Sequence, residues 1–308
     1  MPYPIERKLV VGVSSNALFN LEFEDKIFKE EGVDKYRNYQ IENSKKVLEP
    51  GVAMPFIRRF LNINKVYNEE IPVEVVLLSK NSPETGIRIL NAVRTHNLDI
   101  SRGAFTSGKS PFSYIPTYNI SLFLSTDSED VINAINASYP AGRIIKTNIY
   151  DEVDDDMELR IAFDFDGVIA DDNSEKVFTK DGLDKFLQHE QEQVGIPHNP
   201  GPLADFFTKI SFFQRLETKK EQNNNTYKKI LRTAIITARS APSHERAINT
   251  LKNWNVTVDE MFLLGGIEKS RVLKVLKPHL FLDDQITHLD PALENIPLVH
   301  IPFGIKNQ

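Results

Sequence analysis

Asp164-Phe165-Asp166 places two carboxylates two residues apart at the end of an apolar run, Arg160 to Phe163. Farther along, the apolar run Thr233 to Ile236 ends in Thr237, followed by Ala238. Lys269 stands where a helical pattern begins, and the run His279 to Leu282 ends in Asp283-Asp284. In this order the residues form a set suited to phosphoryl transfer. One carboxylate attacks phosphorus, a second moves protons, a hydroxyl and an ammonium hold phosphate oxygens, and further carboxylates hold Mg²⁺. An EF-hand-like calcium loop is a poor alternative, because apolar Val168 falls at its fifth position and no Glu closes a 12-residue loop. Asp284 has a second reading as a helix N-cap, Thr237 as a strand-end cap and Lys269 as a surface lysine.

Those residues need a frame. Short apolar runs recur at Leu9 to Val13, Val73 to Leu78, Ile120 to Leu124, Met261 to Leu264 and Leu298 to Ile301, besides the three above. Runs of this length, rich in Val, Ile, Leu and Phe, read as buried parallel strands. Helical patterns such as Glu84 to Thr95 and Ser243 to Asn253 lie between them, so the fold class is α/β with a doubly wound sheet. Ligands of such sheets bind at the carboxyl ends of the strands, where the acids cluster. Between Asp166 and Thr237 lies too much chain for a loop. Helical patterns at Ser174 to Phe178, Leu183 to Gln193 and Ala204 to Leu216 make it a helical cap spanning about 171–230. Aromatic residues in the cap form its small core, and Phe178, Phe186, Phe206 and His189 are the candidates to contact a base.

The chain also repeats itself. At an offset of 150, Lys26 meets Lys176, Phe28 meets Phe178, Gly32 meets Gly182 and Asp34-Lys35 meets Asp184-Lys185. Pro50-Gly51 meets Pro200-Gly201 and Phe56 meets Phe206. Beyond that the offset becomes 158: Arg88 meets Arg246, Asn91 meets Asn249 and Leu122-Phe123-Leu124 meets Leu280-Phe281-Leu282. Two tandem halves are expected, 1–150 and 151–308, with the acidic run Asp151 to Glu158 as the linker between them. The first half is degenerate, for Ser14, Asn16, Ser125 and Thr126 stand where the second has Asp164, Asp166, Asp283 and Asp284. It keeps Ser79 opposite Thr237, with Lys80 beside it, and Lys109 opposite Lys269 after a two-residue shift. A pocket that lost its carboxylates but kept these groups should be electropositive and favour an anion without metal. The plainer alternative is a folding platform and dimer surface.

Composition narrows the field. The 308 residues carry no cysteine, which excludes disulfides, a thiolate nucleophile and Cys-ligated metal. Net charge is −6 with no basic stripe, which argues against a nucleic acid polymer as partner. Neither a signal-like N-terminus nor an apolar stretch long enough to span a bilayer is evident. A cytoplasmic protein with no membrane association is expected.

The order of Asp-x-Asp, strand-end Thr, Lys and Asp-Asp resembles the haloacid dehalogenase superfamily of phosphatases. More closely, SSNALF (14–19), PGVAMPFIRRFLNIN (50–64), SKNSPETGIR (79–88), DDNSEKVF (171–178), TARSAP (237–242), KPHLFLDDQ (277–285) and HIPFG (300–304) are similar to the cytosolic 5′-nucleotidase type I family, nearly end to end. That resemblance implies two haloacid-dehalogenase-like halves, each with a helical cap-like insertion and helices on both faces of its sheet. It also implies Mg²⁺-dependent hydrolysis of a nucleoside 5′-monophosphate, AMP-like, through an aspartyl-phosphate. Asp164 is then the nucleophile, Asp166 the general acid and base, and Thr237, Ala238 and Lys269 the phosphate site. Asp164, the Asp166 carbonyl, Asp283 and Asp284 hold the metal. The same aspartyl-phosphate would serve a nucleoside phosphotransferase, and a catalytically silent nucleotide sensor is the other alternative. The resemblance adds a homo-oligomer and a nucleotide effector, for which Ser14, Asn16, Ser79, Lys80 and Lys109 are the candidate site.

Overall fold

The computed structural model describes residues 3–68, 71–149 and 157–308. Two compact units divide the chain, Met1–Tyr139 and Pro140–Gln308. Most of the expected linker, 151–156, lies outside the described residues.

In the first unit, β1 (Leu9–Val13) is followed by α1 (Ser15–Leu18), α2 (Glu22–Glu31), α3 (Val33–Glu42) and α4 (Met54–Val66). Then come β2 (Val73–Ser79), α5 (Pro83–Thr95), β3 (Arg102–Phe105), β4 (Ile120–Ser125) and α6 (Ser128–Asn136). The strands lie in the order β3-β2-β1-β4 and all pair in parallel. Both β1 and β2 are buried along their whole length, which is why they appear in the sequence as apolar runs. The run in β2 is broken only by Glu74, which Arg102 pairs at 2.6 Å, before the strand ends in Ser79.

The second unit begins with β5 (Ala141–Ile145) and β6 (Leu159–Phe163), followed by α7 (Asn173–Glu192) and α8 (Ala204–Asn223). Next are β7 (Leu231–Thr237), α9 (His244–Asn253), β8 (Glu260–Leu263), α10 (Lys269–Leu276), β9 (Leu280–Asp283) and β10 (Leu298–His300). Its order is β5-β10-β9-β6-β7-β8. Strands β6 to β10 pair in parallel, but β5 runs antiparallel to β10, with Leu298 opposite Ile145. The expectation of a purely parallel sheet fails at that one pairing. Burial along β5 is uneven, and its sequence AGRII carries a glycine and an arginine, so no apolar run marks it. Because β5 belongs to the second unit, the division falls at 139/140, ahead of the position expected from the acidic run.

Register brings the acids together. Phe163 of β6 pairs with Leu282 of β9 on one side and Ile235 of β7 on the other. Asp164 and Asp283, which follow directly, and Thr237, two residues past Ile235, therefore emerge at the same carboxyl edge. Beneath them, Ala162, Ala234, Ile236, Phe281, Leu273 and Leu298 form a closed apolar core. The long connection after β6 is helical, as expected, in two pieces. Gly182 breaks α7 at φ 81°, ψ −178°, a conformation essentially confined to glycine.

Candidate active site

Asp164 is 4% exposed, and its Oδ1 accepts the amide of Phe165 at 2.7 Å. Lys269, at the first turn of α10, reaches Asp164 Oδ2 and Asp283 Oδ2, both at 2.7 Å. Asp283 is fully buried; its Oδ1 accepts the Gln285 amide at 2.8 Å, and His288 Nδ1 lies 3.1 Å from both oxygens. Thr237, 1% exposed, receives the Arg239 amide on its hydroxyl at 3.2 Å. Ala238 lies between them at the strand end and is exposed. Of the phosphate-binding candidates, Thr237 is thus on the same strand edge as Asp164, and Lys269 reaches that edge from the start of α10.

Burial sets the electrostatics. It pushes the Asp164 carboxyl up to about 7, with the neighbouring Asp283 charge adding to the effect against the pull of Lys269. Asp284 goes further, to about 9, through burial and then the charges of Asp164 and Asp283. Burial also opposes ionisation of Asp283, but Lys269 and His288 outweigh it and hold this carboxyl below its ordinary value. Lys269, buried between two carboxylates, stays firmly protonated.

Asp284 Oδ1 is buried with no hydrogen-bond partner. An unpaired carboxylate oxygen in such a place is costly unless a cation meets it. Among the described residues, Asp164, Asp283 and His288 also place donor atoms within 4.8 Å of one another. Two carboxylates and an imidazole gathered in this way, with the Asp284 oxygen unpaired, are donors that fit a divalent cation. Gly167 explains how Asp284 fits so close: at φ 75°, a Cβ there would fall 2.5 Å from Asp284 Oδ2.

Asp166 faces another direction. Both of its oxygens are taken by Arg239, Nε to Oδ2 at 2.7 Å and Nη2 to Oδ1 at 2.6 Å. Arg239 also donates to Glu190 of α7, which accepts Arg246 at 2.8 Å and the Ser174 hydroxyl at 2.7 Å. His198 lies 3.4 Å from the same carboxylate. No role was assigned to Arg239, Glu190, His198 or His288 from the sequence. Arg239 lies two residues past Thr237, and that proximity to a strand end is the signal available for it. Glu190 carries none, since a glutamate in a helical pattern ordinarily faces water.

The base candidates separate. Phe206 is fully enclosed and packs against Phe163, so it is core. Phe186 is nearly buried and lies edge-on to Phe178, which is 40% exposed. His189 is half-buried, with Nε2 3.4 Å from Arg246.

In the first unit, Ser14 N-caps α1, Asn16 donates to Asp25, and the Ser79 hydroxyl lies 3.0 Å from that of Ser15. Lys80 is matched by Asp127 at 2.7 Å and Asp130 at 2.9 Å, while Lys109 is exposed. The expected electropositive pocket therefore has its central ammonium neutralised by two carboxylates just past β4.

A family model described as 5'-nucleotidase matches residues 1–308. Human "Cytosolic 5'-nucleotidase 1B" is 34% identical over 303 residues, covering 94% of this chain. The chain spans about half, 48%, of that relative's length. No solved structure matches. Among the described residues, no helix is long and apolar enough to cross a membrane.

Proposed function

The chain belongs to the 5′-nucleotidase family, and on that premise we propose that it hydrolyses nucleoside 5′-monophosphates, AMP-like, to nucleoside and phosphate. The observation that carries this reading is the buried Asp164, clamped by Lys269 at 2.7 Å beside Thr237 and the unpaired Asp284 oxygen. An Asp164 oxygen attacks phosphorus, and the bond from phosphorus to the 5′ oxygen breaks as Asp166 gives that oxygen a proton. Water then attacks the aspartyl-phosphate, Asp166 takes the water's proton, and the Asp164 carboxylate is restored. Lys269, the Thr237 hydroxyl and the backbone at Ala238 hold the phosphate oxygens as charge builds on them. Mg²⁺, held by Asp164, Asp283, Asp284 and the Asp166 carbonyl, would supply charge neutralisation of the phosphate. Phe178, Phe186 and His189 on α7 are the candidates to meet the base. We place the reaction in the cytoplasm.

We further read the chain as tandem halves, the first degenerate and without the chemistry. Support comes from matched detail. Gly32 and Gly182 share one rare conformation, φ 85° and 81° with ψ near 180°. Arg88 Nε donates to the Lys46 carbonyl and Arg246 Nε to that of Ile196, while Asn91 donates to Ser44 and Asn249 to Val194. Each pair keeps the offsets seen in the sequence.

Asp164→Asn tests the mechanism, since Asn is nearly isosteric and cannot form the acyl-phosphate. With AMP and Mg²⁺, phosphate release should fall by several powers of ten with the melting temperature little changed. Near-normal release by Asp164→Asn would defeat it. Adding a nucleoside acceptor to the same assay separates hydrolysis from phosphotransfer.

A further inference from the structure

Arg239 is 3% exposed, and its whole fork is engaged. Nε and Nη2 grip the two oxygens of Asp166, while Nη1 donates to Glu190 and, at 3.0 Å, to the Ser243 carbonyl. Nη2 also lies 3.3 Å from His198 Nε2. The guanidinium sits near the rings of Phe165 and Phe186, at 5.3 and 5.4 Å. Nothing in this arrangement is left over to hold a phosphate. A bidentate grip fixes the plane of a carboxylate as well as its position. Each carboxylate oxygen still keeps a lone pair facing away from the arginine, which is enough to carry one proton.

The first unit serves as a control for what folding alone requires. There, Arg88 donates to Gln40 at 2.9 Å and to Glu24 at 2.6 Å, just as Arg246 donates to Glu190 in the second. That arginine latch is present in both. The Arg239 grip is not: its counterpart is Asn81, opposite Asn16 in place of Asp166, Gln40 in place of Glu190 and Leu48 in place of His198. The first unit, whose four strands repeat the order β8-β7-β6-β9, joins its helices by the latch together with Tyr36. The Tyr36 hydroxyl donates to Asn81 at 2.6 Å and accepts from Gln40 at 3.0 Å, while Asn16 donates to Asp25 and, among the described residues, meets no arginine. The second arginine, its acidic holder and the histidine occur only where Asp166 does.

We propose that Arg239 is a positioning residue for the general acid and base Asp166, and that Glu190 of α7 holds Arg239 in the orientation that aims this carboxylate at the leaving oxygen. The proposal rests on the nucleotidase reading above. It makes Glu190 of the cap helix α7 part of the proton-transfer apparatus through Arg239, without that residue touching substrate.

Leaving-group dependence tests it. With AMP the 5′ oxygen leaves as a poor anion, so the first step needs the proton of Asp166. With p-nitrophenyl phosphate the leaving phenolate is stable as an anion, and the same step needs no proton. Under single-turnover conditions, Arg239→Lys should slow adenosine release about 10²–10⁴-fold, the range of a lost general acid. A lysine cannot grip both oxygens, which is why adenosine release should slow. Release of p-nitrophenolate in that single turnover should stay within a few-fold of wild type, because its leaving group needs no proton. Glu190→Gln should show the same selectivity to a smaller degree, and Gln40 indicates that this helix position accepts glutamine. Should Arg239→Lys fail to fold, Glu190→Gln carries the test. Equal slowing of both substrates, or a change confined to KM, would overturn the proposal and leave Arg239 a structural or phosphate-binding residue. A wild-type protein that hydrolyses neither substrate would instead sink the nucleotidase reading, and the proposal with it.

Discussion

Asp164 and Asp166 leave the same strand with opposite partners. Asp164 meets Lys269 among other acids, whereas Asp166 meets Arg239 alone. Strand alternation would put residues two apart on one face. Both carboxylates lie past the end of β6, where the chain has left the strand. Their separate partners fit the different work proposed for them, metal binding and attack for one and proton transfer for the other. Asp284 is the most expensive residue of the set, because burial holds its carboxyl at about 9 with one oxygen unpaired. A bound cation would offset that cost. Mg²⁺ with inorganic phosphate should therefore raise the melting temperature of the wild type, by an amount worth about 2.7 kcal/mol at 100 times the dissociation constant. Chelator should reverse the rise, and Asp283→Asn should lose most of it. An undiminished rise in Asp283→Asn would remove Asp283 from the metal site.

At the level of elements, the connections from β6 to β7 and from β1 to β2 are each held down by close backbone contacts. A Cβ on Gly201 would come within 2.3 Å of the Ala170 carbonyl, and one on Gly51 within 2.7 Å of the Ala17 carbonyl. Neither neighbour can move without shifting the loop after its strand. Gly201→Ala should cost about 1–3 kcal/mol by overpacking. Gly195→Ala, with nothing within 4 Å of the new Cβ and no positive φ, should cost little or stabilise slightly. Gly182→Ala also meets open space, yet its φ of 81° should cost about 1–3 kcal/mol. Chemical denaturation of the three variants checks the ranking. If Gly195→Ala proves the most damaging, close approach is not what fixes these loops.

At the level of the whole molecule, stability in acid should depend on one buried carboxylate more than on the surface charges. Burial opposes ionisation of Glu190, but His198 and Arg239 outweigh it and keep its carboxyl far below the usual range. The unfolded chain therefore binds a proton that the folded chain does not. The stabilisation is complete above about pH 4.3, the ordinary glutamate value, and is lost as pH falls toward the folded value. Glu190→Gln should flatten the acid limb of melting temperature against pH. A limb as steep in Glu190→Gln as in wild type would assign acid sensitivity to other groups. Exposed pairs such as Lys26–Glu30 should contribute little.

Sequence alone determined the local features of this protein. Val, Ile and Leu runs long enough to be buried on both faces mark β1, β2, β4 and β6, and register between neighbours then puts Asp164, Thr237 and Asp283 on one edge. The internal similarity is legible in the sequence at positions with structural counterparts, such as Gly32 and Gly182 with their positive φ and the buried Arg88 and Arg246. Strand β5 escaped notice because its pattern is short and interrupted, and an antiparallel partner far along the chain defines it. Tertiary structure alone decided which charges meet. Arg239 finds Asp166 across 73 residues and Glu190 across 49, and Lys80 finds Asp127 and Asp130. Spacing along a strand is fixed by backbone geometry, whereas the pairing of buried charges depends on which helix end reaches which strand end, and only packing sets that.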